Sequence, residues 1–135
     1  MTTASPSPTL TFRVRYVECD PMGFMHHSHY LPYLELGRTE LLRKTGVAYR
    51  DLEARDVLFA VTKITINYKR PARYDDEIEL YARIVRQTHV RIDHAYELKM
   101  KSTGELICTA ESTIACINRQ GEVIKIPDDL IPPPP

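Results

Sequence analysis

A chain of 135 residues is one domain by size, long enough to bury a real core and too short for two ordinary ones. Its hydrophobic fraction of 43% and charged fraction of 27% are those of a globular protein, and Lys+Arg and Asp+Glu balance at 18 each. That balance leaves no global field for nucleic acid or a membrane surface, so neither is expected as a partner.

Three cysteines, Cys19, Cys108 and Cys116, form no CxxC pair and follow no basic-then-apolar leader. This usage points to a reducing, cytoplasmic compartment. No apolar run approaches transmembrane length. Residues 1–8, rich in Ser, Thr and Pro, read as a flexible leader. Order is expected from Thr9, where Leu10, Phe12, Val14 and Tyr16 alternate with Thr11, Arg13 and Arg15 as a half-buried strand.

The strand delivers the chain to Asp20, and the next ten positions hold that acid, a glycine and three histidines. Asp20-Pro21 initiates a turn, and Gly23 permits a backbone that bulkier residues resist. From about His27 the pattern becomes helical, with Tyr30, Leu34, Gly37 and Leu41 on one face. Glu40 and Lys44 are spaced for an ion pair on another face, and Gly46 is placed to end the helix. A helix start points free N–H groups and partial positive charge at the neighbourhood of Asp20. Donors for an oxyanion and a carboxylate to act as base or nucleophile are the two requirements of acyl transfer.

Tyr49 to Arg55 reads as a short connecting helix. Four strands follow over Leu58–Lys69, Glu77–Arg86, Val90–Lys101 and Glu105–Asn118. Ser102-Thr103-Gly104 makes a tight hairpin between the last two. Apolar residues of both parities, among them Leu106, Ile107, Ala110 and Ile114, mark the final strand as central. The domain is expected over residues 9–127, with 128–135 a proline-rich tail ending in extended polyproline. The class is α+β, and one helix cannot cover both faces of such a sheet, so a second copy is expected against it.

The run Asp20-x-x-Gly23-x-x-x-His27-x-x-Tyr30, with Glu35-x-Gly37-Arg38-Thr39-Glu40 and Tyr68 to Asp76, resembles the hotdog-fold acyl-CoA thioesterases of the 4-hydroxybenzoyl-CoA thioesterase and YbgC type. The resemblance covers nearly the whole chain outside the tails. It implies a five-stranded antiparallel sheet wrapped around one long helix, a homodimer or a dimer-of-dimers homotetramer, and an acyl-CoA substrate. It also implies that Asp20 is the catalytic carboxylate and that the His27 backbone N–H polarises the thioester carbonyl. The His27 imidazole matches a histidine of the YbgC branch. Gly23, His26 and Tyr30 would contact substrate, as would Val61 and Thr62 within Phe59–Lys63, a stretch that lines the site from the second subunit in relatives. His26 and His29 depart from the aromatic residue and Asn of many relatives, which makes the acyl pocket here more polar or differently shaped.

Plainer readings stand beside these. An Asp before proline is often only a turn former, and Cys19 at a strand end suits packing better than nucleophilic attack. The histidines lack helical metal-ligand spacing, so no metal is expected, and an activated thioester needs no organic cofactor. Glu35 and Arg38 fit a helix-surface or interface ion pair. Arg70 and Arg73 fit either CoA-like phosphates or solvated strand ends. The rival functions are a hotdog dehydratase or non-catalytic acyl-thioester binder, and a scaffold recruiting partners through its polyproline tail.

Overall fold

A computed structural model describes residues 7–130. The expected polyproline tail and most of the leader lie outside the described residues. Five strands, β1 (Leu10–Arg13), β2 (Leu58–Tyr68), β3 (Glu77–Gln87), β4 (Arg91–Met100) and β5 (Leu106–Ile117), form one antiparallel sheet in the order β1-β3-β4-β5-β2. The long helix α1 (Tyr30–Arg43) crosses it, and α2 (Tyr49–Ala54) leads into β2. This is the architecture that the resemblance implies.

Alternation explains why the sheet forms where it does. Ile78 and Leu80 on β3, Tyr96 and Leu98 on β4 and Cys108 and Ala110 on β5 all face the core beneath α1. β5 is flanked by β4 and β2 and buries residues of both parities, as its sequence predicts. The 11-residue β2 is left as an edge.

Helix α1 docks through Tyr30, Tyr33, Leu34 and Gly37. Tyr33 therefore joins the expected face, its ring stacked on Phe12 at 3.7 Å, while Leu41 is only half-buried. Gly37 is there because nothing larger fits: a Cβ would come within 2.7 Å of a Leu80 methyl. After Arg43 the chain turns at Gly46, whose φ of +91° suits glycine. A second core gathers Leu52, Val57, Cys116 and Ile126 under α2.

Three expectations are corrected. The first strand does not reach Tyr16, because at Val14 the backbone pairs with Asp75 and Asp76 and then enters a 3₁₀ turn over Tyr16–Glu18. The turn leaves Tyr16 79% exposed. Glu40 pairs with Arg43, one position closer than Lys44 and on the same turn. The fold does not end at Pro127: Asp128–Leu130 is a 3₁₀ turn, Leu130 packs on the second core and Asp129 meets Arg55 at 3.0 Å. No helix among the described residues is long and apolar enough to cross a membrane.

Candidate active site

The Asp20 loop is a clamped hairpin. The Asp20 N–H donates to the Phe24 carbonyl at 2.8 Å, Cys19 faces Met25 as an antiparallel bridge, and the His26 N–H donates to the Glu18 carbonyl at 2.8 Å. Gly23 turns the tip with φ +84°, as its sequence position requires. The far limb is sewn to the β2–β3 connection by the Met25 N–H, which donates to the Ala72 carbonyl at 2.7 Å, and by a bridge between Phe24 and Arg73.

Glu18, a residue that sequence reasoning passed over, anchors the near limb. It is 2% exposed, and its carboxylate accepts the Arg15 N–H at 2.7 Å, the Arg15 guanidinium at 3.2 Å and the Tyr33 hydroxyl at 2.7 Å. Tyr33 belongs to α1, so this carboxylate fixes the loop to the helix. Burial by itself raises the Glu18 pKa, but the Arg15 N–H, the Tyr33 hydroxyl and the Arg15 guanidinium outweigh it and hold the group below the ordinary value of 4.5. A carboxylate so depressed stabilises the fold above its unfolded pKa and loses that contribution as pH falls through its folded value. Glu18→Gln is therefore expected to cost about 1–3 kcal/mol at neutral pH, since one acceptor becomes a donor facing donors. Thermal denaturation across pH checks this: the gap from wild type should narrow as pH drops below 4.5.

Asp20 divides its two oxygens. Oδ1 accepts the Met22 N–H at 2.9 Å and the Phe24 N–H at 3.2 Å, which is the turn-forming role. Oδ2 has no hydrogen-bond partner among the described residues. The carboxylate is thus aimed by its turn and still has an oxygen to spare.

At the other end of the loop a 3₁₀ turn over His27–His29 runs directly into α1. His26 caps it: its Nδ1 accepts the Ser28 N–H at 3.2 Å and lies 2.8 Å from the Ser28 hydroxyl. The His27 N–H has no partner among the described residues, whereas the His27 carbonyl accepts the Tyr30 N–H and the Tyr68 hydroxyl, the latter at 3.1 Å. Tyr68, at the end of β2, also meets the Tyr30 ring edge-on at 5.0 Å. Neither Tyr68 nor Glu18 was among the expected site residues. Strand parity could not have found Glu18, because the alternation stops at the 3₁₀ turn, where Tyr16 of the same parity is exposed.

Other expected residues take different places. Tyr30 is 3% exposed and belongs to the core instead of a ligand surface. Its buried phenol is pushed up to about 12, chiefly by desolvation. Val61 and Thr62 are exposed on edge strand β2 at a bulge, seven residues from Tyr68 and so about 20 Å away along the strand. Within one chain they do not reach the Asp20 loop.

Glu35 and Arg38 do not pair: the Arg38 Nη1 donates to the Tyr96 hydroxyl at 3.2 Å. Arg70 pairs with Glu105 at 2.9 Å, and the Arg73 guanidinium lies 4.8 Å from the Phe24 ring centre. Cys19 is half-buried, with Sγ 3.7 Å from the Arg15 carbonyl, and burial pushes the Cys108 thiol up to about 12. Among the described residues no set of three or more His, Cys, Asp and Glu side chains is arranged to hold a metal ion.

Residues 14–132 match the family model of the thioesterase-like superfamily. The chain belongs to that superfamily. Members with curated sequences include YneP of Bacillus subtilis (strain 168), 34% identical over 107 residues that cover 79% of this chain and 77% of YneP. The acyl-CoA thioester hydrolase YbgC of Escherichia coli O6:H1 is 30% identical over 106 residues, 78% of each chain. Among solved structures, the DHNA-CoA thioesterase of Staphylococcus aureus superposes with a TM-score of 0.83 at 26% identity, covering 86% of this chain and 78% of that one. This superfamily member is a thioester hydrolase with the hotdog fold, as the motif resemblance implies.

Proposed function

We propose that the chain hydrolyses acyl-CoA thioesters, with Asp20 as base or nucleophile and the His27 N–H polarising the carbonyl. The observation that carries this reading is the pairing of a spare oxygen with a spare donor on one clamped loop: Oδ2 of Asp20 and the N–H of His27, the first residue of the helix-start turn. The N–H adds its own dipole to the positive end of α1, where a developing oxyanion is stabilised.

In one route Asp20 takes a proton from water, the resulting hydroxide bonds to the thioester carbon, and the tetrahedral oxyanion rests on the His27 N–H. Collapse restores the carbonyl, breaks the C–S bond and releases CoA thiolate, which takes up the proton. In the other, Asp20 bonds directly to the carbon and expels CoA thiolate, and water then cleaves the mixed anhydride. Both give free acid and CoA.

The site needs a second copy to be whole. Val61 and Thr62 cannot reach their own Asp20 loop, and β2 presents an uncovered edge for antiparallel pairing with another chain. We place those residues against the Asp20 loop of the second subunit in a homodimer or a tetramer of dimers. The test is a panel of short-chain, long-chain and aromatic acyl-CoA substrates followed by free thiol, with and without exhaustive chelation. Thiol release unaffected by chelator is expected. Enoyl formation without thiol release would instead identify a dehydratase.

A further inference from the structure

The peptide unit joining His26 to His27 carries the proposed oxyanion donor on its nitrogen. Its oxygen is held, because the His26 carbonyl accepts the His29 N–H at 3.0 Å. A second bond spans the whole unit: the His26 Nδ1 accepts the Ser28 N–H at 3.2 Å, and the ring so closed runs through the His26–His27 peptide. A side chain that accepts from the N–H two residues on restricts the rotation of the peptide between them. His26 is a firm base for this, since its own N–H donates to the Glu18 carbonyl at 2.8 Å. The direction of the His27 N–H is therefore set by the His26 imidazole and the His29 N–H together. The bond at the carbonyl also polarises the unit, which makes its free N–H a stronger donor.

The surroundings give this cap its weight. His27 and Ser28 are exposed and His29 is half-buried, so packing does little to hold the turn. The other bonds that fix it act one peptide further on, where the His27 carbonyl accepts the Tyr30 N–H and, at 3.1 Å, the Tyr68 hydroxyl. To accept from a backbone N–H, Nδ1 must be bare, with the ring proton on Nε2. The backbone of His26, with φ −67° and ψ 141°, has the extended geometry of a helix cap, and an asparagine oxygen is among the favoured acceptors there.

We infer that His26 is a positioning residue for thioester hydrolysis: its imidazole caps the helix-start turn and so aims the His27 N–H at the carbonyl oxygen, acting through that peptide and not by touching substrate. The inference rests on the proposed function and adds a side-chain cause for the orientation of the donor. An oxyanion donor is effective because it is aligned before the reaction, and a small misplacement of a catalytic group is costly. Loss of the cap should therefore act on kcat.

The test is kcat and KM for thiol release by His26→Ala, His26→Leu and His26→Asn, each shown to be folded by circular dichroism. Ala and Leu remove the acceptor with and without loss of side-chain bulk, whereas Asn removes the imidazole and supplies a cap oxygen. Ala and Leu should each lower kcat about tenfold with KM within about twofold of wild type, and Asn should recover most of that loss. A cap that only stabilises the fold would lower the melting temperature of Ala and Leu and leave the kcat of the folded protein unchanged. That result would overturn the inference. So would a loss confined to KM, which marks a substrate contact, or an Asn variant no better than Ala, which marks a need for the imidazole itself. Wild type that releases no thiol from any ester in the panel would sink the proposed function and this inference with it. Thiol release by wild type beside any of the other contrary results sinks the inference alone.

Discussion

Asp20→Asn lowers kcat for acyl-CoA hydrolysis by about 10² to 10⁴, the scale of a lost general base, with a larger loss if Asp20 is the nucleophile. The substitution is a clean one here. An asparagine Oδ1 can still accept the Met22 and Phe24 N–H groups, so the turn persists and the melting temperature should stay close to wild type. What disappears is the unpartnered carboxylate oxygen. Asp20→Ala removes both functions, so it should lose activity and also loosen the loop. Thiol release measured on folded protein decides the matter, and near-normal turnover in both variants would remove Asp20 from the chemistry.

His27→Pro lowers kcat by about 10² to 10³, the effect of removing one oxyanion donor. Proline is tolerated at a helix start, where its fixed φ suits the turn and its missing N–H breaks no intrahelical bond. The residue before a proline is pushed to extended geometry, and His26 already sits there with φ −67° and ψ 141°. The His27 carbonyl keeps its bond from Tyr68 in the variant. His27→Ala serves as the control, because it removes the imidazole and keeps the N–H, so its loss should be the smaller. A folded His27→Pro protein with full turnover would exclude the backbone donor.

Much of the fold was legible because alternation and helical spacing are local signals. The strand limits read from the sequence for β2 to β5 agree with the structure to within one residue at every end, and the short α2 stands where Tyr49 to Arg55 placed it. What could not be read depends on partners far along the chain. The first strand ends early because Val14 meets Asp75 and Asp76, which no local window contains. Tyr68 was legible as a strand residue, but its bond to the His27 carbonyl spans 41 positions. The Glu40 pairing failed differently, since both Arg43 and Lys44 lie within reach and spacing alone does not choose.

The site shows the same division. Asp20, Gly23 and the helix start could be found because turn chemistry is written in adjacent residues. His26 could be named as a neighbour of the site, yet its cap on the Ser28 N–H shows only once the turn is folded. Val61 and Thr62 were named through resemblance, and the length of β2 separates them from the Asp20 loop of their own chain.

The central claim is that the His27 N–H polarises a thioester carbonyl presented to Asp20. Isotope-edited infrared spectroscopy of a carbonyl-labelled acyl-CoA bound to the slow Asp20→Asn variant tests it most directly. The account predicts that the carbonyl stretch moves to lower frequency on binding, and that adding His27→Pro abolishes this shift while substrate remains bound. The same shift in the folded double variant would contradict it.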